Sequence, residues 1–188
     1  MPFLARKLAS GLAASAICVF ALSGCTSSPS DGSGSKDSAG KGSSQSGVEN
    51  VDLEKTIVKQ DVKVPGSSED TATVGILSLK VEGKTQRLQL VVTPHFKSVD
   101  EDEEVSLFEI WGEQSFSPQL IDADNLKVYS PIRDMGEQWT SGSVRTETKN
   151  EEPMYVWAVY AAPEDDLDSF DIRLYDTWPD FTDVPITK

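Results

Sequence analysis

Beyond position 48, apolar and polar residues alternate with a period of two along most of the chain. That is the spacing of strands with one face buried. Residues 53–64 carry Ile57, Val58, Val62 and Val64 among polar neighbours, then meet the breaker Pro65-Gly66-Ser67-Ser68. Residues 71–81 and 86–96 make the clearest pair. Val74 and Ile76, then Leu77, Leu79 and Val81, lie on one side of a turn, and Leu88, Leu90 and Val92 on the other. The turn, Glu82-Gly83-Lys84-Thr85, predicts a short hairpin connection with Gly83 free to take a positive φ. The step from Ile76 to Leu77 breaks the alternation by one residue and predicts a β-bulge. Further strands are expected over 105–111, 120–121 with 126–132, 154–161 and 170–175. Val184-Pro185-Ile186 belongs on an edge, because proline has no ladder donor. No stretch after residue 48 shows a 3.6-residue stripe long enough for a substantial helix. The pattern therefore predicts an all-β fold, an antiparallel immunoglobulin-like β-sandwich.

The chain before this region reads differently. Arg6 and Lys7 precede a run of about 15 apolar or small residues, 8–22, which is shorter than the roughly 20 needed to span a bilayer. The run ends in Leu22-Ser23-Gly24-Cys25, which resembles the bacterial lipobox. That resemblance implies a diacylglycerol thioether on Cys25. An ordinary secretory signal or an N-terminal membrane anchor are the alternatives. Residues 26–47 are dominated by Ser and Gly and lack Leu, Ile and aromatic residues, so they cannot bury enough surface to offset ordering. Such a coil has an r.m.s. span of roughly 25 Å. The expected organisation is a lipoprotein signal peptide over 1–24, lipidated Cys25 with a flexible linker over 25–48, and a β-sandwich over 49–188. The expected location is the cell membrane, lipid-anchored and facing the extracytoplasmic side.

Composition sharpens this picture. The 188 residues hold 17 Lys and Arg against 31 Asp and Glu, a formal charge of −14. Residues 1–24 contain Arg6 and Lys7 and no acid, and the tether is balanced, so the sandwich region itself carries −16. Nucleic acid is excluded as a partner, because binding a phosphate backbone needs clustered cations. With Cys18 in the signal peptide and Cys25 lipidated, no disulfide, zinc cluster or cysteine nucleophile is expected in the mature domain. The single histidine, His95, follows Pro94 at a strand end, and a structural or surface role is expected for it.

Three features carry candidate chemistry. The acidic runs Asp100-Glu101-Asp102-Glu103-Glu104 and Glu164-Asp165-Asp166-Leu167-Asp168 fall between strands, where oxygen-rich loops can bind Ca²⁺. Neither has the spacing of a calcium loop, so solvated loops are expected and no metal site is assigned. Asp122-Ala123-Asp124-Asn125 is expected to turn a hairpin. Of four tryptophans, Trp157 is expected in the core and Trp178 to pin the C-terminal loop. Trp111 and Trp139 flank loop-like sequence and are the ligand-binding candidates. No nucleophile elbow, zinc-binding helix or phosphate loop is present, so no catalytic residue and no cofactor are assigned.

The same residues carry a family resemblance. The segment Gly83-Lys84-Thr85-Gln86-Arg87-Leu88-Gln89-Leu90-Val91-Val92-Thr93-Pro94-His95-Phe96 resembles the front half of a family of actinobacterial secreted lipoproteins. Met154-Tyr155-Val156-Trp157-Ala158-Val159-Tyr160-Ala161-Ala162-Pro163 and Phe181-Thr182-Asp183-Val184-Pro185-Ile186 resemble its closing segments. The likeness covers most of residues 70–188, and only the ending is distinctive. It implies an extracytoplasmic β-sandwich and supplies no activity. Longer relatives place a Cys-x-Cys after a Tyr-x-Pro segment and continue into a peptidoglycan-binding domain. Here Tyr129-Ser130-Pro131 leads to Met135-Gly136-Glu137-Gln138-Trp139 without cysteine, so no redox role carries over, and wall binding through an added domain is not expected. The function expected is a lipid-anchored, non-catalytic interaction module that binds another cell-envelope protein. The alternative is a carbohydrate- or wall-polymer-binding module using Trp111 or Trp139, with or without Ca²⁺.

Overall fold

The computed structural model describes Asp52 and residues 54–188. Cys18, Cys25 and the expected signal peptide and linker lie outside the described residues. Three strands open the fold: β1 (Val58–Lys63), β2 (Thr71–Glu82) and β3 (Thr85–His95). They are followed by β4 (Glu104–Ser106), a single helical turn α1 (Leu107–Ile110), and the pair β5 (Gln119–Asp122) and β6 (Lys127–Tyr129). A small hairpin, β7 (Arg133–Asp134) and β8 (Glu137–Gln138), precedes β9 (Glu147–Lys149). The closing strands are β10 (Met154–Ala161), β11 (Ser169–Arg173) and β12 (Phe181–Pro185).

Two four-stranded antiparallel sheets result, ordered β1-β2-β3-β10 and β12-β11-β5-β6. Their inner faces share one core. Val74, Ile76, Leu88, Leu90, Val156 and Tyr160 from the first sheet join Leu120, Phe170, Ile172, Phe181 and Val184 from the second. This is the all-β antiparallel sandwich the alternation predicts. The likeness to immunoglobulin domains lies in the layers. Here three consecutive strands lie side by side, whereas immunoglobulin connectivity interrupts that run after two.

The long hairpin follows the sequence closely. Glu82 pairs with Thr85 around Gly83-Lys84, and Gly83 takes φ +65°, which its missing Cβ makes inexpensive. The register shifts between Ile76 and Ser78, leaving Leu77 as the extra residue of the expected bulge. Pairing resumes with Ser78 opposite Gln89, so Ser78 and Lys80 point outward and Leu79 inward. Asp122 Oδ1 accepts from the Asn125 backbone N–H at 3.0 Å, closing the expected β5–β6 turn. β12 stands on a sheet edge with Pro185 opposite Ser169, as expected for a strand missing one donor.

Two expectations need correction. Residues 105–111 are not one strand. β4 ends at Ser106, whose Oγ accepts from Glu109 N–H, while Glu109 Oε2 accepts from Ser106 N–H at 2.8 Å. This Ser-x-x-Glu capping box satisfies two orphan donors and starts a helical turn. Trp157 is not core. It pairs with Gln89 on the outer face of the first sheet, because the inward positions of β10 are Met154, Val156, Ala158 and Tyr160.

Candidate functional site

The four tryptophans separate by burial. Trp111 caps α1 and is 1% exposed. Its Nε1 donates to the Leu174 carbonyl at 3.2 Å, and its ring packs edge-on against Phe116 and Trp178, with centroids 5.1 and 4.9 Å away. With its donor used and its ring enclosed, Trp111 offers no face to a ligand, which corrects its candidacy. Trp178 is buried as well, and its Nε1 donates to the Lys63 carbonyl at 2.8 Å, tying the C-terminal loop to β1. Trp139 is 45% exposed and remains a surface candidate.

The segment around Trp139 covers the open edge of β10. Val159 N–H donates to the Trp139 carbonyl and Ser141 N–H to the Trp157 carbonyl, both at 2.9 Å. Thr140 stands opposite the inward Ala158, which puts Trp139 on the outer side of the first sheet. Trp157 and Tyr155 share that side. Arg87 sits 5.5 Å from the Trp157 ring centroid, and the Tyr155 hydroxyl accepts from Gln89 Nε2 at 2.9 Å. Aromatic and polar groups from β2, β3 and β10 are thus assembled by strand pairing. Nothing in the spacing of any one segment reveals this.

Just before Trp139, β7 and β8 form a hairpin whose two turn residues are Met135 and Gly136. Both have positive φ, +47° and +90°. That backbone favours Asn-Gly, and a methionine there is strained. Met135 is 99% exposed, so packing does not compensate for the strain. At the foot of this hairpin lies a groove of about 420 Å³, lined by Arg133, Glu137, Ser141, Ser143 and Arg145, with Phe116 at its base. Ser143 Oγ accepts from Phe116 N–H at 2.8 Å and Ser141 Oγ from Trp157 N–H at 3.0 Å.

His95 completes a chain of hydrogen bonds across the outer face. Thr73 Oγ1 donates to Asp61 Oδ1 at 2.6 Å and lies 2.8 Å from His95 Nε2, while His95 Nδ1 lies 2.6 Å from Glu151 Oε2. The order Thr73–His95–Glu151 has the form of nucleophile, base and orienting carboxylate. The proton direction is wrong for it. The Thr73 hydrogen is given to Asp61 and is not directed at His95, and the three side chains fasten the sheet to the loop before β10.

Four of the nine acids in the two acidic runs make ion pairs. Lys127 Nζ lies 2.5 Å from Asp165 and 3.2 Å from Glu164, and these carboxylates raise its pKa above the ordinary lysine range. Lys188 beside Asp166 holds that carboxyl below its usual range. Lys149 reaches Asp102 at 3.3 Å. A hollow of about 350 Å³ collects Asp122, Asp124, Asp166, Asp168, Asp171 and Asp183. Asp122 is committed to Asn125 and Asp171 accepts from Asp183 N–H, and among the described residues no group of acids or histidine is arranged to hold a metal ion.

No family model, curated protein or solved structure matches this chain. Its class is therefore set by fold and surface: an acidic all-β antiparallel sandwich with an apolar-tipped hairpin beside a cationic groove.

Proposed function

We propose that this protein is a lipid-anchored extracytoplasmic interaction module that works by binding another cell-envelope protein and not by catalysis. The carrying observation is the β7–β8 hairpin, which holds Met135 fully exposed at a strained turn position, four residues before the exposed Trp139. Backbone strain without a compensating contact is a mark of recognition surfaces, and methionine and tryptophan are enriched at interfaces. The lipobox-like Leu22-Ser23-Gly24-Cys25, the balanced tether and the resemblance to secreted lipoproteins support the anchoring. Two or three acyl chains give durable attachment, where one would be marginal.

The test has two arms. Cys25→Ala should move the protein from the detergent-soluble membrane fraction to the soluble one. A photoreactive residue at Met135 should give a discrete adduct on intact cells, absent when the residue is placed at Lys84. Continued membrane association of the Cys25 variant would sink the anchoring, and equal labelling from both positions would sink the hairpin as the contact. A glycan reading rests on one observation, that Trp139, Trp157 and Tyr155 share the outer sheet face. It predicts a tryptophan fluorescence shift with soluble glycans that Trp139→Ala abolishes.

A further inference from the structure

We infer that the groove at the foot of the β7–β8 hairpin is a carboxylate-recognition site, taking an acidic side chain from a protein partner's extended segment. The inference rests on the interaction-module reading and names the chemistry of the partner. Its basis is the donor set. Arg133 and Arg145 both line the groove, and neither has a carboxylate within ion-pair distance among the described residues. Arg133 makes only a long 3.4 Å contact to the Gly136 carbonyl of its own hairpin. Seven of the thirteen Lys and Arg side chains among the described residues make no ion pair, and Arg133 and Arg145 are the two of these that line one groove. The eight ion pairs among the described residues all lie elsewhere.

The serines add to this. Ser141 and Ser143 each use the hydroxyl oxygen to accept from a backbone N–H, which leaves the hydroxyl hydrogen free to donate. Ser141 is only 5% exposed, and a buried hydroxyl keeps an unused donor only at a cost. Two guanidinium forks and two donating hydroxyls suit an ionised carboxylate, which only accepts. Glu137 is the one acid lining the groove, so the lining stays net positive. Met135, Trp139 and Val144 are exposed, and each is adjacent in sequence to lining residues. Those apolar residues give a peptide contacts that a free anion or a phosphate polymer lacks.

The test uses the full chain in detergent micelles with three probes. These are the fluorescent peptide Leu-Glu-Leu-Asp-Leu-Glu-amide, its Gln/Asn counterpart, and a glycerol-phosphate polymer. The acidic peptide should bind, with Kd raised about tenfold or more by Arg145→Gln and by Ser141→Ala. Arg145 is exposed, so its variant keeps the fold if Ser141→Ala does not. Equal binding of both peptides, preferred binding of the phosphate polymer, self-association in place of peptide binding, or no effect of Arg145→Gln would each overturn the inference. Met135 labelling on cells without acidic-peptide binding would remove the groove and leave the module standing. Loss of both would remove the two together.

Discussion

Single residues decide more here than their number suggests. Asp70 is 7% exposed, and burial alone would raise its pKa. Donors from Ser67 Oγ, the Lys97 and Ser98 amides and Ser98 Oγ, at 2.8–3.2 Å, overcome that and hold the carboxyl below its ordinary range. Because the folded-state pKa is depressed, the stabilisation is complete above the unfolded value of about 4 and fades as pH falls through the folded one. Asp70→Asn should therefore cost about 1–3 kcal/mol at neutral pH. Urea denaturation of both proteins should converge below about pH 4, and a constant gap down to strong acid would contradict the account. Trp111 teaches the converse lesson. Sequence places it beside a loop, and only the packing of Phe116, Trp178 and the Leu174 carbonyl makes it core.

At the scale of elements, the turn after α1 shows how local geometry is fixed by a distant neighbour. Gly112 has φ +61°, and a Cβ there would lie 2.8 Å from the Pro65 carbonyl oxygen, which is backbone and cannot swing aside. Gly112→Ala combines positive-φ strain with overpacking and should destabilise by about 2–4 kcal/mol. Thermal melting reads this directly, and Gly83→Ala, where nothing lies within 4 Å of the added Cβ, is the comparison that isolates the clash. The hairpin, its bulge and the edge position of β12 were legible because alternation and turn residues are local signals. The capping box Ser106–Glu109 was missed, because the apolar run across it reads as a strand when period alone is followed. The groove was not legible. Its lining comes from residues 115–116, 133–138 and 140–145, which only the pairing of 139–141 with β10 brings together.

For the whole molecule, charge and closure set the behaviour. The two sheets are joined laterally as well as through their core. Thr187 N–H donates to the Leu79 carbonyl and the Thr187 carbonyl accepts from Val81 N–H, both at 2.8 Å, so the chain end straps the second sheet to β2. β1, the first sheet's other edge, carries Lys59, Asp61 and Lys63, and Gln60 Nε2 donates to the Pro179 carbonyl. These charges and that contact discourage pairing with foreign strands. A net −16 repels itself in the compact state. Raising salt from low ionic strength to about 0.3 M should raise Tm by several degrees through screening. An unchanged or lower Tm would show that the surface ion pairs outweigh that repulsion.

The amino-acid order alone determined the class of fold, the main hairpin and its bulge, and the strongly acidic balance. Each of these depends on neighbours in sequence or on simple sums. The tertiary structure decided which tryptophans are buried, which face Trp157 takes, and that Arg133 and Arg145, without carboxylate partners among the described residues, line one groove with Ser141 and Ser143. Those are properties of register and layer stacking, in which residues far apart in the chain become adjacent, and no local period records such adjacency.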